Sequence, residues 1–122
     1  MKILKEKRRF PRIDVELPIF IDSTCGCTAG KTLNISAGGA FIRCPDSMTI
    51  PERFLLAITN LPQVYLHLPV KAELIWSNGY EKEGNSVFRE IGVEFKDISD
   101  ADREFISALI SCIQSRRKRF IL

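Results

Sequence analysis

The amino-acid sequence predicts a mostly β fold followed by a single C-terminal α-helix. As far as residue 98, short segments with apolar residues at every second position recur along the chain and are separated by turn residues. After residue 98 the apolar spacing changes to that of a helix. Six short strands joined by turns are typical of a β-barrel or a β-sandwich, and the strand pattern alone leaves both open.

The first strand shows the alternation most clearly. Val15, Leu17, Ile19 and Ile21 are each followed by a residue of the opposite face. Pro18 has no N–H to donate, so this strand must have an edge or a bulge there. We predict six strands and two polar loops, as follows: strands 13–22, 31–35, 40–44, 53–58, 64–76 and 87–95, and loops 23–30 and 77–85.

The longest predicted strand contains the only tryptophan of the chain. Ala72, Leu74 and Trp76 fall on the same face of that strand, as successive alternate residues do. Trp76 is a candidate for stacking near a ligand, but a large aromatic residue on a strand is more often a core residue, so we interpret it as core and leave it out of the candidate site. Pro69 predicts an edge or a bend in the same strand.

The helix is predicted at residues 99–119. Ser99 is a candidate N-cap, and Asp102 three residues later completes an S-x-x-D capping pattern. The predicted buried stripe consists of residues at helical spacing: Ala101, Phe105, Ala108, Leu109, Cys112 and Ile113.

A chain of 122 residues is one domain by size, and we divide it into a basic leader (1–12), a β-barrel (13–98) and the helix (99–119). With 45% hydrophobic and 27% charged residues, the composition is that of an ordinary globular protein. No segment approaches the roughly 18 apolar residues of a membrane helix, and no signal-peptide core follows the basic N-terminus. We therefore expect a cytoplasmic protein.

The net charge of +3 conceals an uneven distribution. Residues 1–12 carry six basic side chains and one glutamate, for a local charge of +5, and residues 116–119 add +4. The remaining residues carry −6. Basic ends favour anionic partners such as a nucleotide, a nucleic acid or a membrane surface. For residues 116–119 we favour a solvated end that complements the helix dipole.

The sequence contains no pattern that predicts a metal site or an enzyme. Cys25 and Cys27 have C-x-C rather than C-x-x-C spacing, and no second ligand pair follows. We expect the cysteines to be reduced thiols, mostly in or near the core. The only histidine, His67, lies within a strand pattern, without an evident nucleophile or carboxylate partner. We expect no enzymatic activity and no cofactor.

Two short motifs are the candidate functional residues. Arg8, Arg9 and Arg12 surround Pro11, which prevents this segment from lying within a helix. Asn34 and Ser36 precede two glycines, of which Gly39 is the second. Taken alone, the second motif is typical of a hairpin turn. Together, the motifs supply guanidinium groups, small hydrogen-bonding side chains and an accessible backbone, which suit a planar anionic ligand such as a nucleotide.

The two motifs resemble the R-x-x-x-R and [D/N]-x-S-x-x-G signature of the PilZ domain. The resemblance extends over residues 7–113 and includes the segments AELIW at 72–76, IGVEF at 91–95 and SDADR at 99–103. Asn34 stands where many members have aspartate. The resemblance implies a six-stranded antiparallel β-barrel of the split-barrel type with a C-terminal helix. It also implies a receptor for the bacterial second messenger cyclic di-GMP.

On this resemblance, Arg8, Arg12, Asn34, Ser36 and Gly39 line the ligand site, and Arg9 is a plausible third arginine contact. Arginine suits the ligand because its fork binds guanine O6 and N7 or a phosphate. We hypothesise that the cationic leader is mobile without ligand and that binding of the dianionic nucleotide orders it. The ordered leader would then be recognised by a downstream protein partner.

Two other functions remain open. A PilZ-like barrel that does not bind the nucleotide would act as a protein–protein adaptor. A small barrel with basic ends would bind single-stranded nucleic acid, but such sites interleave aromatic and basic side chains over a sheet face, and Phe10 is the only aromatic residue near the leader. We therefore expect no DNA or RNA partner.

Overall fold

The computed structural model describes residues 10–23, 26–45, 49–58, 68–84 and 86–121. The elements are seven strands and one helix: β1 (Ile13–Asp14), β2 (Pro18–Ser23), β3 (Gly26–Ile35), β4 (Gly39–Pro45), β5 (Arg53–Ile58), β6 (Leu68–Glu83), β7 (Ser86–Lys96) and α1 (Asp100–Ile121). No helix in these ranges is long and apolar enough to span a lipid bilayer.

The strands form a closed antiparallel barrel. The sheet runs in the order β1-β3-β2-β5-β6-β7-β4, and a further pairing between β3 and β4 closes the ring. The two-residue β1 pairs only with the end of β3, so the ring itself contains six strands. The prediction of a six-stranded antiparallel barrel with a C-terminal helix is confirmed, and closure excludes the sandwich.

The predicted first strand, 13–22, is interrupted. β1 and β2 both pair with β3, but between them the three residues Val15–Leu17 lie opposite only Thr32 and Leu33. The buried hydroxyl of Thr32 donates a hydrogen bond to the Val15 carbonyl (2.5 Å) and accepts one from the Leu17 N–H (2.8 Å). This bulge immediately precedes Pro18, as expected for a residue that has no N–H to donate.

Both predicted loops are shorter than expected. Residues 26–30 belong to β3 and pair with β2, and residues 77–83 belong to β6 and pair with β7. Their glycines and polar residues predict turns, but the cross-strand hydrogen bonds of two long hairpins override that local preference. The predicted strand at 64–76 is described only from Leu68 onward.

Isoleucine is the most frequent residue of the barrel interior. The alternating inward residues of each strand meet there, and the largest of the fully buried side chains on the barrel strands are the following: Ile19, Ile21, Thr32, Ile35, Ile42, Cys44, Leu56, Ile58 and Ile91. β-branched side chains suit this arrangement because they pack well on a pleated surface. The interior therefore follows the period-two pattern of the sequence.

The N-terminus of the helix is capped by Ser99, and its isoleucines form the face that packs on the barrel. Ser99 caps the helix, because the Asp102 N–H donates to the Ser99 hydroxyl over 3.0 Å, as predicted. The predicted stripe is partly wrong: Ile106 and Ile110 are the buried residues of α1, flanked by half-buried Phe105, Leu109 and Ile113. Ala101, Ala108 and Cys112 are exposed. Two isoleucines bury more apolar area than two alanines, which explains the rotation of the stripe.

The two ends of α1 contact the start of the described chain. The Arg103 guanidinium lies over the ring of Phe10, and the Arg117 guanidinium donates to the carbonyl of Asp14. Residues 1–9, most of the predicted leader, lie outside the described part. The helix thus fixes the segment that leads into the first strand.

Candidate ligand-binding cleft

A cleft of about 460 Å³ lies on the outer face of β4, β7 and β6, next to the first turn of α1. In β4 the core residues Ala40 and Ile42 point inward, which leaves Gly39 and Phe41 on the outer face. The cleft is lined by residues from the N-terminal segment, the β3–β4 turn, three strands and the helix: Phe10, Arg12, Ser36, Gly38, Gly39, Phe41, Ile75, Trp76, Gly92, Val93, Glu94, Phe95 and Arg103.

A β-bulge places Trp76 in this cleft. In the pairing of β6 with β7, Leu74 lies opposite Val93 and Trp76 lies opposite Gly92, so Ile75 is an extra residue with no partner of its own. The extra residue reverses the alternation, and Trp76 moves from the inward to the outward set. The interpretation of Trp76 as core is therefore wrong: its half-buried indole lies against Gly92 on the outside of the barrel.

Gly92 makes room for the indole. A β-carbon at this position would lie 2.3 Å from Nε1 of Trp76, which is far inside van der Waals contact. The absence of a side chain lets the indole pack against the backbone of β7. Glycine at this strand position is therefore what admits the tryptophan to the cleft.

Arg12, the second arginine of the predicted R-x-x-x-R motif, is described by the structure and packs against aromatic rings. The Arg12 guanidinium lies 4.5 Å from the ring centroid of Phe41. Phe41 in turn meets Trp76 edge to face, with 4.9 Å between ring centroids. Stacking on one face leaves the in-plane N–H groups of a guanidinium directed at its edges. Arg12 is therefore oriented by packing as well as by charge.

The β3–β4 turn forms one side of the cleft. The Ser36 hydroxyl accepts a hydrogen bond from the Gly38 N–H (3.1 Å), and the Ser36 N–H donates to the Gly39 carbonyl (2.9 Å). The Gly38 carbonyl accepts from the Phe95 N–H of β7. A β-carbon on Gly39 would lie 2.3 Å from the Val93 carbonyl oxygen, so only glycine permits β4 to pair this closely with β7.

The charges beside the cleft are largely compensated. Glu94 lines the cleft, and its carboxylate lies 2.5 Å from the Lys96 ammonium, which also lies 3.2 Å from Glu73. The hydrogen bond from Lys96, reinforced by nearby Arg53, holds the pKa of Glu73 below its usual 4.5. Hydrogen bonds from Lys96 to Glu94 and Glu73 raise the pKa of Lys96. The carboxylate of the cleft is thereby paired on its own strand.

The structure brings together three of the six predicted site residues. Arg12, Ser36 and Gly39 line the same cleft. Asn34 does not line it: this residue lies in β3 opposite Asp14 and Phe41, and its buried Oδ1 has no hydrogen-bond partner among the described residues. Arg8 and Arg9 lie outside the described part of the chain.

Sequence reasoning missed three side chains of the cleft, namely Phe10, Phe41 and Arg103, and it considered Trp76 as a stacking residue but left it out. Phe10 lies inside the R-x-x-x-R motif, and its position between arginines was an available signal. Phe41 follows the second motif by two residues and alternates with the inward residues of β4, so its side chain lies on the outer face. Arg103 ends the SDADR segment of the resemblance, but that segment does not point to the cleft, because only the tertiary structure places the helix against Phe10.

The described part of the chain contains no group of three or more metal-ligating side chains. Cys44 is buried in the barrel, whereas Cys27 and Cys112 are exposed, so the expectation that the thiols lie mostly in or near the core is wrong for these two. Cys25 and His67 lie outside the described residues.

A protein-family model described as "PilZ domain" matches residues 6–112, which is most of the chain. The matched segment includes the described cleft residues of the N-terminal segment, the barrel and α1. A search of curated proteins finds no match.

Three solved structures have the same fold. The inhibitor of motility MotI/DgrA of Bacillus subtilis has a TM-score of 0.67 and 20% identity, with 92% of this chain and 52% of that chain covered. The PilZ domain of YcgR from Escherichia coli, solved with c-di-GMP, has a TM-score of 0.68 and 14% identity, with coverages of 93% and 96%. The PlzA protein of Borreliella burgdorferi, solved in complex with c-di-GMP, has a TM-score of 0.66 and 10% identity, with coverages of 91% and 54%. This chain therefore spans about half the length of the MotI and PlzA chains.

Proposed function

The chain belongs to the PilZ domain family, and from that premise we propose that it is a receptor for cyclic di-GMP that binds the nucleotide in the cleft beside Arg12. The observation that carries the proposal is the convergence of Arg12, Phe41 and Trp76 with the Ser36–Gly39 turn. Two relatives of the same fold were solved with this ligand.

The cleft matches the chemistry of the ligand in three respects. Its volume of about 460 Å³ lies within the usual range for small-molecule pockets. Trp76 and Phe41 supply aromatic surface on which a guanine base stacks. The Arg12 guanidinium supplies a fork for a phosphate or for guanine O6 and N7.

We assign different roles to the predicted site residues. Arg8, Arg9 and Arg12 bind the nucleotide directly, since residues four apart in an extended segment are separated by about 13 Å and reach different parts of one ligand. Ser36 and Gly39 shape the turn that borders the cleft, because the Ser36 hydroxyl already accepts a hydrogen bond from the Gly38 N–H. Asn34 is the remaining predicted site residue. It lies at the base of that turn, and its buried Oδ1 has no partner among the described residues.

We propose that nucleotide binding is signalled by the ordering of residues 1–12. Phe10 and Arg12 already contact Arg103 and Phe41, so we propose that the change concerns the part of this segment before Phe10. The +5 charge of residues 1–12 favours mobility there without ligand, and two phosphates would neutralise several of those cations. The segment ordered by the ligand is then the surface that an unidentified downstream protein recognises. We propose a cytoplasmic, non-enzymatic receptor, with no cofactor besides this ligand.

Calorimetric titration of cyclic di-GMP into the full chain tests the proposal. We expect saturable binding by the wild type and a loss of roughly 100-fold or more in both Arg8→Ala and Arg12→Ala, because each removes a charge-assisted contact. Arg53→Ala is the matched control, since this arginine is 76% exposed and pairs with Glu73 on the surface. Cyclic di-AMP tests base recognition and should bind much more weakly.

Two results would change the assignment. Absence of binding by a folded wild type would favour the adaptor function, with a search for a protein partner as the next step. Equal amide-exchange protection of residues 1–12 with and without bound nucleotide would contradict the output mechanism while leaving the receptor function intact.

A further inference from the structure

Arg103 is a second described arginine in the cleft, and it comes from the helix rather than from either motif. It lies in the first turns of α1 and lines the same cleft as Arg12. The Ser99 cap fixes its backbone: the Arg103 N–H donates to the Ser99 carbonyl over 2.9 Å, and the Ser99 hydroxyl accepts from Asp102. The side chain therefore projects from a rigid element.

The guanidinium of Arg103 is stacked in the same way as that of Arg12. Its central carbon lies 5.2 Å from the centroid of the Phe10 ring, as that of Arg12 lies 4.5 Å from the centroid of Phe41. An aromatic ring on one face of a guanidinium restricts its orientation without accepting its N–H groups. The cleft thus holds two pre-oriented guanidinium groups from opposite ends of the sequence.

The guanidinium of Arg103 has an unused donor within the described part of the chain. Its Nε is buried and has no hydrogen-bond partner there. It forms no ion pair with the described carboxylates; Glu94, the acidic residue of the cleft, pairs with Lys96 instead. A buried donor on a charged group is costly when it is unsatisfied, and an anionic acceptor would relieve that cost.

We propose that Arg103 contacts the nucleotide, donating from its guanidinium to a phosphate oxygen or to the O6 and N7 edge of a guanine. The inference rests on the proposed function and extends the site beyond the two sequence motifs. Arg12 and Arg103 then contact the ligand from the N-terminal segment and from α1. The occupied cleft thereby connects the two ends of the domain through the ligand itself.

The first test is the affinity for cyclic di-GMP of the full chain carrying Arg103→Ala or Arg103→Lys. We expect roughly 10-fold or greater weakening in Arg103→Ala and a smaller but clear weakening in Arg103→Lys, which keeps the charge but loses the fork. Arg53→Ala, with melting temperatures for all variants, is the control. Wild-type affinity in Arg103→Ala or in Arg103→Lys would overturn the inference.

A second test separates direct contact from an effect through Phe10. If Arg103 served only to hold Phe10, then Phe10→Leu would abolish any further effect of Arg103→Ala. We expect Arg103→Ala to weaken binding in the Phe10→Leu background as well, and no additional weakening there would contradict direct contact.

A third test, by NMR, observes the wild-type protein and therefore does not depend on a substitution that lowers stability. In the side-chain ¹H–¹⁵N spectrum of the wild type, with Arg103→Lys identifying the signal, the Arg103 Nε–H should shift and exchange more slowly with solvent on addition of cyclic di-GMP. The Arg53 signal should not change. An unchanged Arg103 signal at saturation would overturn the inference and leave the receptor function standing. A wild type that does not bind would overturn both.

Discussion

The two faces of β4 and β7 differ in how their residues are used. On the inside, Ala40, Ile42 and Ile91 fill the barrel with regular alternation. On the outside, Phe41 lies opposite Gly92, and the indole of Trp76 occupies the space that a side chain at position 92 would need. The inner face is uniform and the outer face is uneven, and the cleft lies on the uneven face.

The inner and outer faces also differ in how they depend on the register of strand pairing. The interior tolerates no change of phase, because a shift by one residue would turn every apolar side chain outward. The cleft depends on such a shift, since the extra residue Ile75 places Trp76 outside. The barrel therefore obtains its stability from regular strands and its candidate site from the irregular part of β6.

The sharpest test of the inner and outer faces compares two neighbouring leucines of β5. Leu56 is fully buried, whereas Leu55 is 44% exposed. We expect Leu56→Ala to lower the free energy of unfolding by about 3–4 kcal/mol through loss of burial and a residual cavity. Leu55→Ala should cost less than about 1 kcal/mol. Urea denaturation measures both, and equal losses would contradict the assignment of the two faces.

The next largest effect concerns the close pairing of β4 with β7. Gly39→Ala places a β-carbon against the Val93 carbonyl, a backbone atom that cannot rotate away, so we expect a loss of about 3 kcal/mol. Gly84→Ala is the control: at φ +62° it has open space around it and should cost only about 1 kcal/mol of backbone strain. Thermal unfolding distinguishes the two, and similar melting temperatures would show that β4 and β7 separate easily.

A smaller change in stability is expected at Gly92, where the obstacle is a side chain. Gly92→Ala should displace the indole of Trp76 at a cost of about 1–2 kcal/mol, less than at Gly39, because a side chain yields more readily than backbone. Trp76 is the only tryptophan, so its fluorescence maximum reports this displacement directly. We also expect weaker binding of cyclic di-GMP. An unchanged emission spectrum would mean that the indole does not rest on Gly92.

The smallest effect is electrostatic and lies beside the cleft. Because Lys96 and Arg53 hold the pKa of Glu73 below 4.5, the ionised carboxylate stabilises the folded state above the unfolded-state pKa. That contribution is lost as the pH falls below about 4.5 and through the folded-state pKa. The melting temperatures of wild type and Glu73→Gln should therefore differ at pH 7 and converge in acid. Parallel curves across this range would exclude the pairing as a source of stability.

The sequence predicts the regular part of the molecule well. Alternation identified the strands because burial of one face requires it, and the Ser99 cap followed from local hydrogen bonding. The phase of Trp76 was not predictable, because a bulge at Ile75 is a property of the β6–β7 pairing and has no local pattern. The role of Arg103 was equally hidden, since residue 103 meets Phe10 only through the packing of α1.

The missing side chain at Gly92 has a genetic consequence. Every glycine codon becomes an alanine codon through one change at its second base, and that change would introduce a β-carbon where the indole now lies. The interior of the barrel would not be touched. One mutational step would therefore displace the indole from its place in the cleft while leaving the core side chains unchanged, and the reverse step would restore it.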